Sequence, residues 1–228
     1  MALQELGRRQ GDSAKLEAAI QRYRAAAGLF TREKHPLEWA SLQNDIGTAL
    51  RELGRKEGDA THLEAAIATY RAALEVFSQA EYPVEWATTH NHLGNSLRTL
   101  GDLEGGTERL KQAEASYRKA LQIWFRRRMP IEEATTQNNL GNALRGIGER
   151  EGDTARLQEA IALFQRALIV RTREQMPLQW ATTQNNLGSA LQALGQLEAG
   201  TTNLEAAIAA YRAALEIRSR EATPDRKG

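Results

Sequence analysis

The residues best suited to chemistry in this sequence are asparagines and arginines that recur at one fixed spacing. The asparagines lie 47 residues apart, and three of them are followed seven residues later by an arginine. These residues are Asn44, Asn91, Asn138 and Asn185, with Arg51, Arg98 and Arg145. A guanidinium group can donate two parallel hydrogen bonds to a carboxylate. The pattern therefore favours non-covalent recognition of a polar or acidic group.

Other kinds of reactive site find little support. The sequence has no cysteine, which excludes disulfides, thiol catalysis and thiolate metal sites. His90 and His92 are two residues apart on a predicted helix, so they face different ways and cannot share a metal. The glycine-rich stretch from Gly54 to Asp59 lacks the lysine and serine or threonine that end a phosphate-binding loop. Because every polar motif recurs several times, we expect a protein that is not an enzyme and needs no metal or cofactor.

A strict internal repeat organises the chain. The five prolines are Pro36, Pro83, Pro130, Pro177 and Pro224, each 47 residues after the last. A period between 20 and 50 residues indicates a repeat architecture. We therefore divide the sequence into one array: a partial repeat at 1–35, repeats at 36–82, 83–129, 130–176 and 177–223, and the start of another at 224–228.

Each repeat has the pattern of two helices. In the third repeat, Pro130 suits a first helical turn, and Leu140, Leu144 and Ile147 form one apolar face. Gly148 is expected to end this helix. The first helices are predicted at 36–53, 83–100, 130–147 and 177–194, with a fragment at 1–6, and the second helices at 13–33, 60–80, 107–127, 154–174 and 201–221. Short connections make consecutive helices antiparallel. The predicted fold is all-α, an α-solenoid of helix hairpins.

The phased residues resemble the tetratricopeptide repeat (TPR) family. Its first helix has a Leu-Gly pair with a large residue three positions later, as in Leu140, Gly141 and Leu144. Its second helix has alanine, an aromatic and alanine, as in Ala160, Phe164 and Ala167. The usual repeat has about 34 residues, and the 47-residue form resembles bacterial arrays that are sensor or scaffold segments of larger signalling proteins. The resemblance implies a right-handed superhelix.

The resemblance also implies a binding surface. In this family, polar positions of the first helix line a concave groove that binds peptides, where asparagines hold the peptide backbone and basic residues hold carboxylates. The matching positions here are Asn44, Thr48, Arg51, Asn91, Asn95, Arg98, Asn138, Asn142, Arg145, Asn185, Ser189 and Gln192. The implied function is a scaffold that binds an extended peptide or a partner's tail, either acidic or with a free carboxylate.

A structural role for the same asparagines is an equal alternative. Asparagine costs roughly 0.5 kcal/mol or more relative to alanine inside a helix, so its recurrence requires a compensating interaction. That interaction could be a hydrogen-bonded ladder between repeats, in which case the array is a spacer or a self-assembling arm. The helix at 201–221 is as apolar as the internal ones, and 1–6 is a helix fragment. We therefore expect self-association through uncapped ends.

Charge and hydropathy argue against other partners. The formal net charge is +1, so the protein has no overall field to attract nucleic acid or an anionic membrane. No apolar run approaches the ~20 residues of a membrane helix, and the N-terminus does not resemble a signal peptide. A cytoplasmic location is expected. The one basic run, Arg126 to Arg128, could hold an acidic tail or a phosphate, but three arginines at a helix end, favoured by the helix dipole, are more often solvated.

Overall fold

The computed structural model describes residues 12–199 and 201–222. These ranges contain helices and no strand. The helices are α1 (Ser13–Leu29), α2 (Pro36–Glu57), α3 (Ala60–Leu74), α4 (Pro83–Glu104), α5 (Glu108–Arg127), α6 (Pro130–Glu151), α7 (Thr154–Val170), α8 (Pro177–Glu198) and α9 (Thr201–Ala222). The described part divides within α5, between Ile123 and Trp124, into two compact units. The predicted α-solenoid of helix hairpins is confirmed.

The repeated prolines start every second helix. Pro36, Pro83, Pro130 and Pro177 each occupy the first turn of a 22-residue helix. Proline is favoured there because the missing N–H group would have no partner in the helix anyway. The intervening helices begin differently: the carboxylate of Asp153, for example, accepts a hydrogen bond from Arg156 N at 3.1 Å before α7. Alternating start signals thus produce alternating helices.

The predicted ends of the long helices were wrong by one turn. Gly148 was expected to end α6, but the helix continues to Glu151 and is capped by Gly152 with φ 67°. A Cβ on Gly148 would lie only 2.8 Å from Leu157 Cγ. This glycine therefore serves the close approach of α7, whereas the left-handed conformation that favours glycine occurs four residues later.

The second helices end earlier than predicted in three repeats. In the segment after α7, the Thr172 hydroxyl accepts a hydrogen bond from Gln175 N at 3.2 Å. Ser78 does the same for Glu81 N at 3.1 Å. Such side-chain bonds to the backbone compete with helix continuation. Phe125 occupies the corresponding position in α5, and this helix continues to Arg127 as predicted.

The core of each unit joins glycines of the long helices to aromatic rings of the following helix. In the first unit, Gly94 faces Tyr117, whose side chain is fully buried. In the second unit, Gly141 faces Phe164 in the same way. A Cβ at Gly94 would lie 2.6 Å from the ring of Tyr117, closer than carbon atoms can approach. The repeated Leu-Gly motif therefore sets the distance between paired helices.

Candidate functional site

A groove in the second unit brings together three of the twelve candidate residues. Its volume is about 280 Å³. It is lined by Arg145 and Glu149 from α6, by Ser189, Gln192, Ala193 and Gln196 from α8, and by Tyr211 from α9. All the α6 and α8 positions lie in the C-terminal halves of their helices. The groove thus uses the polar positions predicted from the repeat pattern, together with an aromatic residue of the following helix.

Tyr211 anchors the polar network of this groove. Its hydroxyl lies 3.1 Å from Ser189 Oγ and 2.9 Å from Gln192 Oε1. Ser189 in turn donates to the Asn185 carbonyl oxygen at 3.1 Å. Because the amide oxygen of Gln192 is engaged by the tyrosine, its exposed amide nitrogen points its donors away from that bond. The side chain is therefore held in place with donors left for a ligand.

Arg145 supplies the positive charge of the groove. Its Nη1 donates to Glu149 Oε1 at 2.7 Å, and 29% of the side chain is exposed. Its Nε is buried and has no hydrogen-bond partner among the described residues. A guanidinium group has five N–H donors, so the pairing with Glu149 leaves hydrogen-bonding capacity unused.

The corresponding side chains of the first unit also have partners within the protein. Arg51 pairs with Glu52 at 2.7 Å, and only 17% of its side chain is exposed. Arg98 pairs with Asp102 at 2.7 Å. Asn95 Oδ1 accepts a hydrogen bond from the Tyr117 hydroxyl at 2.8 Å. Arg98, 32% exposed, thus resembles Arg145 in its pairing and exposure, whereas Arg51 is more enclosed.

Thr48 follows the same arrangement as Asn95 and Ser189. Its Oγ1 lies 3.0 Å from the Tyr70 hydroxyl and donates to the Asn44 carbonyl oxygen at 2.9 Å. In each of these three pairs the tyrosine follows its polar partner by 22 residues. Sequence reasoning missed this pairing and with it Tyr211, although the constant separation of 22 residues was a usable signal.

Two of the repeated asparagines join neighbouring long helices. Asn44 Nδ2 donates to Thr89 Oγ1 at 2.8 Å, between α2 and α4. Asn138 is only 6% exposed, and its Oδ1 accepts from Asn186 Nδ2 at 3.1 Å, between α6 and α8. Asn142 donates to the Asn138 carbonyl oxygen at 3.1 Å. Hydrogen bonds of this kind are what the ladder alternative predicts for these positions.

Comparison with known proteins identifies the fold family. A tetratricopeptide repeat model matches residues 39–79, 134–170 and 180–221, which together make up more than half of the chain. The chain belongs to the tetratricopeptide repeat family. The stretch between the first two matches contains the second repeat, where Glu114 replaces the isoleucine found at Ile67 and Ile161. Tetratricopeptide repeats generally mediate protein–protein interaction or scaffolding.

Solved structures support the same fold at low sequence identity. BtubC (BKLC) from P. vanneervenii has a TM-score of 0.64 and 21% identity, over 99% of this chain and 80% of that one. The kinesin light chain TPR-like repeats of Podosopora anserina have a TM-score of 0.59 and 16% identity, over 98% and 96% of the two chains. The designed helical repeat protein DHR81 has a TM-score of 0.51 and 14% identity, over 96% of each. No curated protein sequence matches the chain.

His90 and His92 of this TPR array are packing residues. The His90 ring lies 4.3 Å from Trp86, and the His92 ring lies 5.7 Å from Tyr70. Burial lowers the pKa of each to about 4, helped by Lys119 near His90 and by Arg51 near His92. Both side chains are therefore neutral at pH 7. Among the residues that the structure describes, no three histidine, aspartate or glutamate side chains are placed to hold a metal ion.

A buried arginine, Arg171, lies at the end of α7. Arg171 is 7% exposed and donates to the hydroxyls of Thr183 at 3.1 Å and Thr135 at 2.9 Å. It also occupies the C-cap of α7, where the helix dipole favours a positive charge. These contacts offset part of the cost of burying Arg171, whose Nε has no hydrogen-bond partner among the described residues and whose pKa is lowered by desolvation. In residues 12–199 and 201–222, no helix has the length and apolar character needed to cross a membrane.

Proposed function

We propose that this TPR array is a non-enzymatic interaction scaffold that binds an extended peptide or a partner's tail. The observation that carries the proposal is the groove of the second unit, which combines Arg145, Ser189 and Gln192 in about 280 Å³. Its lining is mostly polar, and Ser189 and Gln192 are held by hydrogen bonds to Tyr211. A site whose side chains are already held in place binds with less loss of conformational entropy.

The groups in the groove favour a peptide with a carboxylate. The Gln192 amide nitrogen can donate to a peptide carbonyl, and Arg145 can donate to an acidic side chain or a free C-terminus. Glu149 already pairs with Arg145 at 2.7 Å. A carboxylate ligand would compete with Glu149, which is itself partly exposed and can return to water. The candidate positions of the first unit are proposed as peptide contacts of that unit by itself.

A display screen tests this proposal. A random peptide library is selected against the protein, and the affinity of the best peptide is measured by isothermal titration calorimetry. We expect Arg145→Ala and Gln192→Ala each to weaken binding by about tenfold, the effect of losing one charged or well-placed hydrogen bond. Gln165→Ala, an exposed glutamine on α7 outside the groove, is the matched control. Equal affinities for all three variants would place the peptide elsewhere.

The second candidate function is a structural spacer or self-assembling arm. It is favoured by the hydrogen bonds of Asn44 to Thr89 and of Asn138 to Asn186. The two functions separate with Asn138→Ala. A structural role predicts a loss of about 1 kcal/mol in the free energy of unfolding and unchanged peptide affinity. A peptide contact predicts weaker peptide binding and an unchanged free energy of unfolding.

Self-association is proposed on the exposure of α9. Ile208 is 50% exposed and Leu215 is 65% exposed, whereas Ile67, at the position of Ile208 in the first full repeat, is 3% exposed. Burying these two side chains against a second copy would be favourable. Light scattering over a range of protein concentrations tests this proposal. The average molar mass of the wild type should increase with concentration, and Ile208→Lys should stay monomeric. A monomer at all concentrations contradicts it. A cytoplasmic location stays a prediction.

A further inference from the structure

The end of α5 differs from the same segment in every other repeat. Its final residues are Phe125, Arg126 and Arg127, followed by Arg128. Phe125 stands at the position where Ser78 follows the end of α3 and Thr172 follows the end of α7. Without the hydroxyl-started turn seen after α3 and α7, α5 continues to Arg127, and Arg126, Arg127 and Arg128 are exposed.

The resulting surface is basic and apolar together. Phe125 is 74% exposed, and all three arginines are exposed. Their guanidinium groups have no hydrogen bond or ion pair with any residue in the described part of the chain. Ile169 is 77% exposed at the end of α7. Exposed aromatic and aliphatic side chains beside unpaired arginines are typical of an interaction surface rather than of a solvated helix end.

Comparison with the other repeats identifies the group that this surface lacks. Arg32 donates to Glu75 at 2.6 Å, and Arg173 donates to Glu216 at 2.6 Å. In both pairs the glutamate follows its arginine by 43 residues. The residue 43 positions after Arg126 is Ile169. Arg126 therefore has no intramolecular carboxylate at the place where its counterparts have one.

The backbone conformation of Arg128 also favours a functional role for this arginine. Arg128 has a φ of 52°, a left-handed conformation in which glycine would cost less. The Met129 N–H bonds to the Trp124 carbonyl oxygen at 3.0 Å, which closes the helix end around this residue. The turn thus places a third arginine beside the other two, at a position whose left-handed conformation favours glycine.

We propose that Phe125, Arg126, Arg127, Arg128 and Ile169 form a second docking surface, which binds an acidic peptide segment of a partner protein. A glutamate or aspartate of the ligand would take the place that Glu75 and Glu216 occupy in the other repeats, and an apolar residue beside it would cover Phe125 and Ile169. The vacant partner is a carboxylate in both counterparts, which favours an acidic peptide over a phosphate ligand. This surface lies at the proline end of α6, about 22 Å along the helix from Arg145, so it is distinct from the groove.

Fluorescence anisotropy with the intact protein tests the proposal. The probes are a short fluorescein-labelled peptide of glutamates and leucines, the same peptide with glutamines, a single-stranded DNA of similar charge, and vesicles of phosphatidylserine and phosphatidylcholine. We expect the acidic peptide to bind and the glutamine peptide to bind at least about tenfold more weakly, since three exposed charge contacts are lost. DNA or vesicles that bind more tightly than the acidic peptide would overturn the proposal.

Two variants and a matched control locate the site. The triple variant Arg126→Glu, Arg127→Glu, Arg128→Glu should reduce acidic-peptide affinity by about tenfold or more. Arg166→Glu, Arg212→Glu, Arg218→Glu makes the same charge change at dispersed exposed positions and should retain most of the affinity.

Ile169→Glu introduces the carboxylate found at the matching positions Glu75 and Glu216. We expect the new glutamate to form an ion pair with Arg126. The affinity for the acidic peptide should then fall several-fold, although no arginine charge has been reversed. Melting curves by circular dichroism verify that each variant is folded. If the two triple variants lose affinity equally, or if Ile169→Glu leaves affinity unchanged, the proposal is wrong.

Discussion

Alanine substitution of two glycines should change stability in opposite directions. Gly94 lies in the middle of α4, where a Cβ would lie 2.6, 2.8 and 2.9 Å from three ring carbons of Tyr117. Gly28 lies near the end of α1, where a Cβ would meet no atom within 4 Å. Both are helical, so the chemical change is the same. The packing around them decides the outcome.

The expected magnitudes follow from two opposing contributions. Replacing a helical glycine with alanine stabilises by up to about 1 kcal/mol. Forcing an extra methyl group into a filled core costs about 1–3 kcal/mol. Tyr117 is fully buried and donates to Asn95 at 2.8 Å, so its ring cannot withdraw without weakening that bond. Gly94→Ala should therefore lose about 1–2 kcal/mol, while Gly28→Ala should gain about 0.5 kcal/mol.

Urea denaturation followed by circular dichroism measures both changes. Tyr117→Leu, a smaller and more flexible side chain, should relieve the clash, so Gly94→Ala should cost less in its presence. The difference between the two costs is the coupling free energy, expected at about 1 kcal/mol. If Gly94→Ala is neutral or stabilising, or if the two changes are additive, then contact with Tyr117 is not the reason for glycine at this position.

Three further changes test other parts of the structure. Burial lowers the pKa of His90 and His92 to about 4 in the folded protein, so the unfolded chain binds protons first. Stability should therefore be full above pH 6.5 and fall as the pH drops toward 4, by up to about 3 kcal/mol per histidine. Denaturation midpoints against pH should show this, and the double variant H90Q and H92N should flatten the curve. Phe164→Tyr should add about 1 kcal/mol, measured by urea denaturation, because its new hydroxyl reaches Asn142 as the tyrosines of other repeats reach their partners; a loss would mean that the position cannot hold a hydroxyl. Ala199 caps α8 in the left-handed region with φ 51°, so Ala199→Gly should raise the melting temperature by a few degrees, and an unchanged melting temperature would contradict a strained cap.

Helix starts were predictable because each depends on a local signal. A proline such as Pro130 fixes its own φ and lacks the N–H that a first turn would leave unused, so its position alone marks the start of α6. Leu140, Leu144 and Ile147 are 1% exposed or less, as their spacing predicted. Period and apolar phase are properties of the sequence itself, and they determine which face of a helix is buried.

Helix ends and side-chain pairings depended on contacts that the sequence does not display. Two glycines, Gly148 and Gly152, were both available to end α6, and only the approach of Leu157 shows which one is needed inside the helix. Similarly, Asn138 has the spacing of a surface residue, but it is buried. Asn186 of the next long helix packs over it and donates a hydrogen bond to its Oδ1. The sequence alone does not show which of two similar residues is buried, because that depends on where the neighbouring helix packs.

The most direct test of the central claim is photo-crosslinking of a selected peptide to the groove. Benzoylphenylalanine is introduced in place of Gln192 in one sample and in place of Gln165 in another, and each is irradiated with the peptide. The account predicts a covalent adduct from position 192 and none from position 165, since only the former lines the groove. Equal labelling at both positions, or labelling at 165 alone, would contradict a peptide-binding role for this groove.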